Sequence, residues 1–251
     1  MKMKKSYLLD FIEKYYLSGT VEAAAWDISE DTLSTKIITE DKSLMGEVVV
    51  NKAGFTGIDT KIGILNSGLL SKFLSLMDDE FELDLQNINE SGEEKYVSVQ
   101  MRDKKQQLNY MLSDLLVIPK PKGLKGEPPY DLEIGLTKEF MNDYIKVKGV
   151  FSETKIATLL KNRDGEYKLV LGYSSINTNR AFLDVKVNEI NSVDKTISYN
   201  ADYIKEIFSA NKGAKKAVFK ISSEGLGFVA FEGDNYTAKY YIVEADTDFS
   251  N

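Results

Sequence analysis

The sequence predicts an α+β protein of two similar domains, each with two helices packed on antiparallel sheets. All four prolines lie between residues 119 and 129, and prolines favour an extended backbone without N–H donors, which is typical of a linker. On each side of this linker the hydrophobic pattern gives the same order: a helix, three strands, a helix and three strands. We therefore expect domain 1 at residues 1–117, a connector at 118–131 and domain 2 at 132–251.

The first half begins with an amphipathic helix, because apolar residues recur at helical spacing between residues 7 and 17. A second stretch with this spacing predicts another helix at 66–77. Alternation of apolar and polar residues predicts six strands in this half. They span residues 21–29, 33–39, 43–50, 80–86, 95–101 and 108–112.

The second half repeats this plan. Helical spacing recurs at 137–151 and at 200–210. Alternating stretches predict strands at 155–162, 167–175, 180–187, 217–223, 225–233 and 236–245. The two halves share little sequence identity, so the repeat rests on the order and spacing of the elements.

The only tryptophan of the chain lies in the first strand of the first half. Alternation places Trp26 on one face of this strand with Ala24 and Ile28, and it places small residues on the other face. The small-residue face, which includes Ala23 and Ala25, leaves room for a closely packed helix. We expect Trp26 to lie in the core rather than to serve as a platform for a ligand.

Composition limits the chemistry that this chain can perform. Of its 251 residues 43% are hydrophobic and 28% are charged, which is the composition of a folded protein. The absence of cysteine excludes disulfides, thiolate catalysis and cysteine zinc sites, and the absence of histidine removes the commonest general base. The net charge of −7 argues against indiscriminate nucleic-acid binding but is compatible with a basic surface on one side.

The sequence predicts neither a membrane span nor a secretory signal. No run approaches the roughly 18 apolar residues that a spanning helix needs. The N-terminal helical pattern contains Asp10, Glu13 and Lys14, which interrupt the apolar region of a signal peptide. We therefore expect a cytoplasmic protein without a membrane partner.

Four segments resemble the DNA sliding clamps, and they occur in the order of that family. EAAAWDISEDTLSTKIITEDKSLMGEV is similar to the first strands of a clamp, and LLSKFLSLMDDEFELDLQ to its second helix and following strand. LLVIPKPKGL resembles the start of the interdomain connector, and AKYYIVEADTDFSN resembles the last strand with its acidic tail. These matches are spread over nearly the whole chain.

Two domains, rather than three, make the chain similar to the trimeric clamps of eukaryotes, archaea and T-even-type phages. The short acidic ending favours the phage branch, which would place the protein in the cytoplasm of the host cell. The resemblance implies a homotrimeric ring of six domains, with helices around a central hole and sheets continuous around the outside. Such a ring encircles duplex DNA and tethers the replicative DNA polymerase, which confers processivity without base-specific contacts.

The resemblance also implies that the protein is no enzyme and needs no catalytic residue, metal or cofactor. The chain contains no G-x-x-x-x-G-K phosphate loop. Opening of the ring must therefore depend on a separate, ATP-dependent clamp loader.

Lysines on the four helices are the DNA contacts that the resemblance implies. A helix face of mixed charge is ordinarily a solvated surface, but its position on a clamp-like helix favours phosphate contact. Flexible lysines attract a duplex without fixing a register, which suits a sliding protein. The expected DNA-binding residues are Lys5, Lys14, Lys72, Lys138, Lys146, Lys148, Lys205 and Lys212. Among them, we expect Lys72 and Lys146 to contribute most.

A second site is implied beside the connector, where clamps hold a short hydrophobic peptide of the polymerase or loader. Carried over by position, the pocket residues are Ile38, Ile118, Leu124, Tyr241 and Val243. Without the family, each is an ordinary apolar strand or linker residue. Leu124 is the exception, because an isolated leucine in a Lys, Gly and Pro linker has little local reason to be buried.

Subunit contacts are expected at two edge strands, because unpaired edges are otherwise an aggregation hazard. By resemblance, the edges are 106–112 in the first domain and 180–187 in the second. Each alternates apolar and polar residues, so burial of one face can set the register. The expected interface residues are Leu108, Tyr110, Leu112, Ala181, Leu183 and Val185.

Two other classes of function stay open. A metal-dependent nuclease is one, because Asp184 and Lys186 form a D-x-K pair on one strand face, although no partner acidic motif is identifiable. A phage structural protein or a protein that couples replication to late transcription is the other, because clamps of T-even-type phages also act in late transcription.

Overall fold

The computed structural model describes residues 1–51, 55, 57–90, 93–123, 126–173, 179–191, 193 and 195–246. The chain forms two compact units. Unit 1 consists of Met1–Ile38, Gly46–Pro121 and Asn235–Thr237, and unit 2 of Thr39–Met45, Lys122–Asp234 and Ala238–Asn251. In the described part of the chain, none of the helices has the length and hydropathy that crossing a membrane requires.

Unit 1 has two α-helices and two groups of strands. Its elements in chain order are β1 (Lys2–Lys4), α1 (Lys5–Tyr16), β2 (Ala24–Ile28), β3 (Thr32–Ile38), β4 (Leu44–Asn51, from Gly46 in this unit), β5 (Thr60–Ile64), α2 (Ser67–Leu76), β6 (Glu80–Glu90), β7 (Glu93–Arg102) and β8 (Gln107–Met111). One sheet has the order β1-β6-β7-β8, and all its pairs are antiparallel. The other group has the order β4-β3-β2-β5.

Unit 2 repeats the arrangement. Its elements are β9 (Leu132–Gly135), α3 (Lys138–Val150), β10 (Ile156–Lys161), β11 (Tyr167–Leu171), β12 (Ala181–Val185), β13 (Val187–Glu189), β14 (Ile197–Asn200), α4 (Ala201–Ala210), β15 (Lys216–Ile221), β16 (Leu226–Glu232) and β17 (Tyr236–Val243, from Ala238 in this unit). One sheet has the order β12-β11-β10-β14, and the other group has the order β13-β9-β15-β16-β17.

The predicted α+β class is confirmed, with all four predicted helices and antiparallel sheets. The predicted order of elements is incomplete. Each unit opens with a short strand before its first helix, β1 or β9, and has another short strand, β5 or β14, before its second helix. β1, β9 and β14 have three or four residues, which is too few for an alternating pattern to be recognised, and β5 is buried at three consecutive residues rather than at alternate ones.

The single strand predicted at 180–187 is also wrong. The strand is interrupted at Lys186, and its two parts join different sheets. Leu183 of β12 lies opposite Leu169 of β11, whereas Val187 of β13 lies opposite Ile134 of β9. Lys186 alone separates the two strands, so a single residue between them is enough for the chain to pass from one sheet to the other.

The core of unit 1 confirms the role predicted for Trp26, whose surface is 2% exposed. Its indole ring packs edge-on against Phe11 of α1 at a centroid distance of 5.4 Å. Its Nε1–H donates to the hydroxyl oxygen of Tyr15 at 3.1 Å, and that hydroxyl shares a second hydrogen bond of 2.9 Å with Ser67 of α2. The Trp26 face of β2 therefore joins both helices through aromatic packing and buried hydroxyl groups.

The small-residue face of β2 does not accept a helix, contrary to the expectation. On the neighbouring strand β5, Gly63 bridges to Ser113, which lies just after β8. A Cβ atom at Gly63 would collide with the carbonyl oxygen of Ser113 and would lie 3.2 Å from the Ile118 side chain. The small residues therefore admit the beginning of the connector, not a helix.

Candidate nucleic-acid interface and sheet edges

Side chains cap three of the four helices. Asn66 accepts a hydrogen bond from the Leu69 N–H at the start of α2, and Thr137 accepts one from the Phe140 N–H at the start of α3. Asn200 accepts two at the start of α4. Such caps satisfy backbone N–H groups of the first turn and fix where each helix begins.

Four of the eight lysines expected to bind DNA are exposed. They are Lys72 on α2, Lys138 and Lys146 on α3, and Lys212 just beyond the end of α4. Lys146 forms an exposed ion pair with Asp143 at 3.5 Å, and such a pair costs little to break. These ammonium groups can reach an external phosphate.

The other four lysines are engaged within their own unit. Lys5 donates to the carbonyl oxygen of Met77 at 2.7 Å, and Lys205 pairs with Glu206 at 2.8 Å. Lys14 is buried, pairs with Asp10 of the same helix, and lies 4.1 Å from the centroid of the Tyr236 ring. The Lys14 ammonium group thus stabilises the packing of α1.

Lys148 is only 2% exposed and serves as an internal anchor between α3 and α4. Its ammonium group lies 2.7 Å from Asp202, the second residue of α4, and donates to the Ser152 carbonyl oxygen at 2.9 Å. Asp202 also pairs with Lys155 at 3.2 Å. Burial alone would raise the pKa of Asp202, but hydrogen bonds from the two lysines outweigh it and lower that pKa below its ordinary value.

Both strands predicted as subunit edges lie at the end of a sheet. Among the strands that the structure describes, β8 pairs with β7 alone and β12 with β11 alone. The Leu112 N–H donates to Val97, so by alternation the backbone groups of Gln107, Asn109 and Met111 point away from β7.

The side of β12 that faces away from β11 can be identified from the hydrogen bonds between β10 and β11. The Asn162 N–H donates to Glu166 at the turn before β11. By alternation along β11 and β12, the backbone groups of Phe182 and Asp184 then point away from β11. Each unit therefore offers at least one strand whose outward donors and acceptors have no partner strand among the described residues.

The apolar residues at these edges are only partly those expected. Tyr110 and Val185 are buried inside their units, whereas Leu108, Leu112, Ala181 and Leu183 are half-buried. Two residues that sequence reasoning missed are far more exposed. Met111 on β8 is 64% exposed and Phe182 on β12 is 58% exposed. The sequence does contain a signal for Met111 and Phe182, because each is a large apolar residue on the otherwise polar face of an alternating strand.

The residues expected in the peptide pocket differ in their accessibility. In unit 1, Ile38 is half-buried and Ile118 is buried. In unit 2, Val243 is 49% exposed, and the Tyr241 ring packs at a tilt against Phe228 with a centroid distance of 5.0 Å. Leu124 lies outside the described residues. The pocket itself stays a prediction.

The residues of the nuclease alternative do not assemble a metal site. Asp184 forms an ion pair with Lys168 on the neighbouring strand, and Lys186 is exposed beyond the end of β12. Over the described ranges, no group of three or more Asp, Glu, His or Cys side chains is placed to hold a metal ion.

Two units of two helices and antiparallel sheets have the fold of the DNA sliding clamps. The solved structure of Proliferating Cellular Nuclear Antigen from Entamoeba histolytica matches with a TM-score of 0.71. The two chains are 17% identical, and the match covers 98% of each. No protein-family model matches the chain, and no curated protein does.

Proposed function

We propose that this chain is a sliding clamp, which encircles duplex DNA as a homotrimeric ring and tethers the replicative polymerase. The observation that supports the proposal is that β8 in unit 1 and β12 in unit 2 are open edge strands on a clamp fold. Pairing of β8 with β12 of another copy is a heterologous contact, and three such contacts close a ring. The same pairing would cover Met111 and Phe182.

Contact with DNA is proposed for the exposed lysines Lys72, Lys138, Lys146 and Lys212. Each is a flexible cation on or beside a helix, which suits attraction to phosphates without base readout. The proposal does not rest on Lys14 and Lys148, because their ammonium groups serve internal contacts. The role is non-enzymatic.

The proposed partners follow from the clamp role. A polymerase and an ATP-dependent loader would bind the hydrophobic pocket predicted beside the connector. A cytoplasmic location and membership of the phage branch also stay predictions, and no comparison supports the phage branch. No observation favours the nuclease or the late-transcription alternative over the clamp.

Light scattering coupled to size-exclusion chromatography tests the assembly. We expect a mass near three times that of the 28.3 kDa chain. A monomer at high concentration would contradict the ring.

A second measurement tests the topological link to DNA. With loader and polymerase present, stimulation of synthesis should be strong on a circular template, and it should be lost on a short linear duplex whose ends are open. Tight, salt-insensitive binding of the protein alone to the short duplex would contradict sliding.

A further inference from the structure

Met111 differs from the other methionines of this chain in its exposure. The sequence has seven methionines and no cysteine, so thioether sulfur is the only sulfur that an oxidant can attack. All seven lie in the described part of the chain, and Met111 is 64% exposed. The others are half-buried or buried, and they are Met1, Met3, Met45, Met77, Met101 and Met141. A dissolved oxidant therefore reaches the Met111 sulfur most easily.

The neighbours of Met111 on β8 suit the oxidised form of its side chain. Gln107, Asn109 and Met111 share the exposed face of this strand. The side-chain amide of Asn109 donates to the Met111 sulfur at 3.7 Å. A thioether sulfur is a weak acceptor, whereas the oxygen of a sulfoxide is a strong one. The same amide can therefore hold the oxidised side chain in place.

The oxidation needs a peroxide as its only co-reactant. A lone pair of the sulfur forms a bond to one oxygen of hydrogen peroxide, the O–O bond breaks, and the second oxygen leaves as water with both protons. The sulfur is oxidised by two electrons, and the peroxide is reduced by two. The product is methionine sulfoxide, which methionine sulfoxide reductases return to methionine.

Met111 also lies where an incoming strand would pair. Its backbone N–H and C=O point away from β7, and β8 has no second partner strand among the described residues. A strand that joins this edge would place one of its residues directly beside Met111. Oxidation converts the flexible apolar side chain into a polar one, which the pairing would then bury.

We propose that Met111 is a site of reversible oxidation by a peroxide, and that its sulfoxide weakens the pairing of β8 with another copy of the chain. Oxidation acts on the unpaired chain, because pairing covers the sulfur. The oxidation state of Met111 thus sets how many copies can assemble. The effect on pairing rests on the proposed function, whereas the selection of Met111 by the oxidant depends only on the exposure of the methionines.

Peptide mapping by mass spectrometry tests the site on the full chain. A dilute sample is treated with limiting hydrogen peroxide, and each of the seven methionines is followed. We expect the peptide that contains Met111 to gain one oxygen atom before any other does. In a concentrated sample, in which pairing covers the sulfur, this oxidation should be slower.

Light scattering over a dilution series tests the effect on pairing. The oxidised chain should associate at least about tenfold more weakly than the parent, because a polar group is buried at the contact. Treatment with the two methionine sulfoxide reductases, one for each epimer of the product, should restore association. Met111→Gln, which introduces a polar side chain of similar length, should weaken association without peroxide.

Two leucine variants serve as matched controls. Met111→Leu keeps an apolar side chain of similar volume that cannot be oxidised, so peroxide should leave its association unchanged. Met45→Leu removes a half-buried sulfur elsewhere and should respond to peroxide as the parent does. Circular dichroism identifies any variant that fails to fold, and the oxidised parent then supplies the test without a substitution.

Three results would overturn the proposal. They are earlier oxidation of another methionine, an equal response to peroxide in Met111→Leu, and unchanged association of chain that is oxidised at Met111 alone. A chain that is a monomer before oxidation would contradict both the ring and the effect on pairing. In that case the peptide map still decides whether Met111 is the oxidised residue, so the two failures are distinguishable.

Discussion

Lys14 and Lys148 show at the scale of single residues how burial changes what a cation does. Lys14 follows Asp10 by four positions, a spacing that is typical of an exposed helical ion pair. Lys14 is buried against the Tyr236 ring, which lies far away in the chain, so the sequence of α1 alone does not predict this burial. Exposure of Lys72 and Lys138 could be predicted from the sequence, because they need no partner distant in the chain.

The buried ion pair between Lys148 and Asp202 leads to a stability prediction. Asp202→Asn leaves the Lys148 ammonium group buried without its carboxylate, and this should lower the free energy of unfolding by about 3 kcal/mol. The control is Asp143→Asn, which removes only the exposed pair with Lys146 and should cost less than about 1 kcal/mol. Urea unfolding followed by circular dichroism measures both. Equal losses would contradict the anchoring role.

Asp41 gives a prediction for pH dependence. Burial would raise its pKa, but hydrogen bonds from Ser43, Thr39 and Tyr203 outweigh it and lower the pKa from 3.8 to about 2. A carboxyl whose pKa is lower in the folded state stabilises the fold above the unfolded pKa, and this stabilisation is lost as the pH falls through the folded pKa.

Asp41→Asn should therefore reduce the loss of stability between about pH 4 and pH 2. Urea unfolding at a series of pH values measures this slope. The exposed Asp31→Asn serves as the control and should leave the slope nearly as it is. A slope unchanged by Asp41→Asn would show that these hydrogen bonds contribute nothing to acid sensitivity.

At the scale of elements, the helices and most strands could be predicted from the sequence, but β1, β5, β9 and β14 could not. Long elements such as β6 and α3 carry enough residues for their period to be recognised. β1 and β13 have three residues each, and they form strands because a neighbouring strand offers hydrogen bonds. The edge positions of β8 and β12 followed from resemblance to the clamps, and the exposure of Phe182 could have been inferred from its place between Arg180 and Asp184 on the polar face of the alternating strand.

The open edge of β12 leads to a prediction about assembly. The Asp184 N–H points away from β11, so Asp184→Pro removes an outward donor and places a ring against the incoming strand. We expect the proposed contact between copies to weaken at least about tenfold while the unit stays folded. Proline at Leu183 would instead remove a donor to β11 and disturb the unit itself.

The matched control is Asp184→Ala, which removes the exposed side chain and keeps the N–H. It should retain the parent mass in light scattering, with unchanged circular dichroism. If Asp184→Pro also retains the trimer mass, β12 is not the contact strand.

The whole molecule carries a net charge of −7, yet lysines are exposed on its helices. The double variant Lys72→Glu/Lys146→Glu should reduce loader-dependent synthesis, because it replaces phosphate attraction by repulsion. Its trimer mass should be unchanged. The control is Lys239→Glu, which reverses one charge away from the helices. An equal loss of synthesis in that variant would show that the net charge of the protein, rather than the helix surfaces, determines the effect.

The position of Trp26 has a spectroscopic consequence. It is the only tryptophan, and its ring is packed against Phe11 in the core of unit 1. Intrinsic fluorescence excited at the indole band therefore reports the unfolding of unit 1 alone, whereas far-ultraviolet circular dichroism samples helices and strands of both units. The two signals will share a midpoint only if both units melt in one cooperative step. A gap between the midpoints would measure how independently the two halves of this chain unfold.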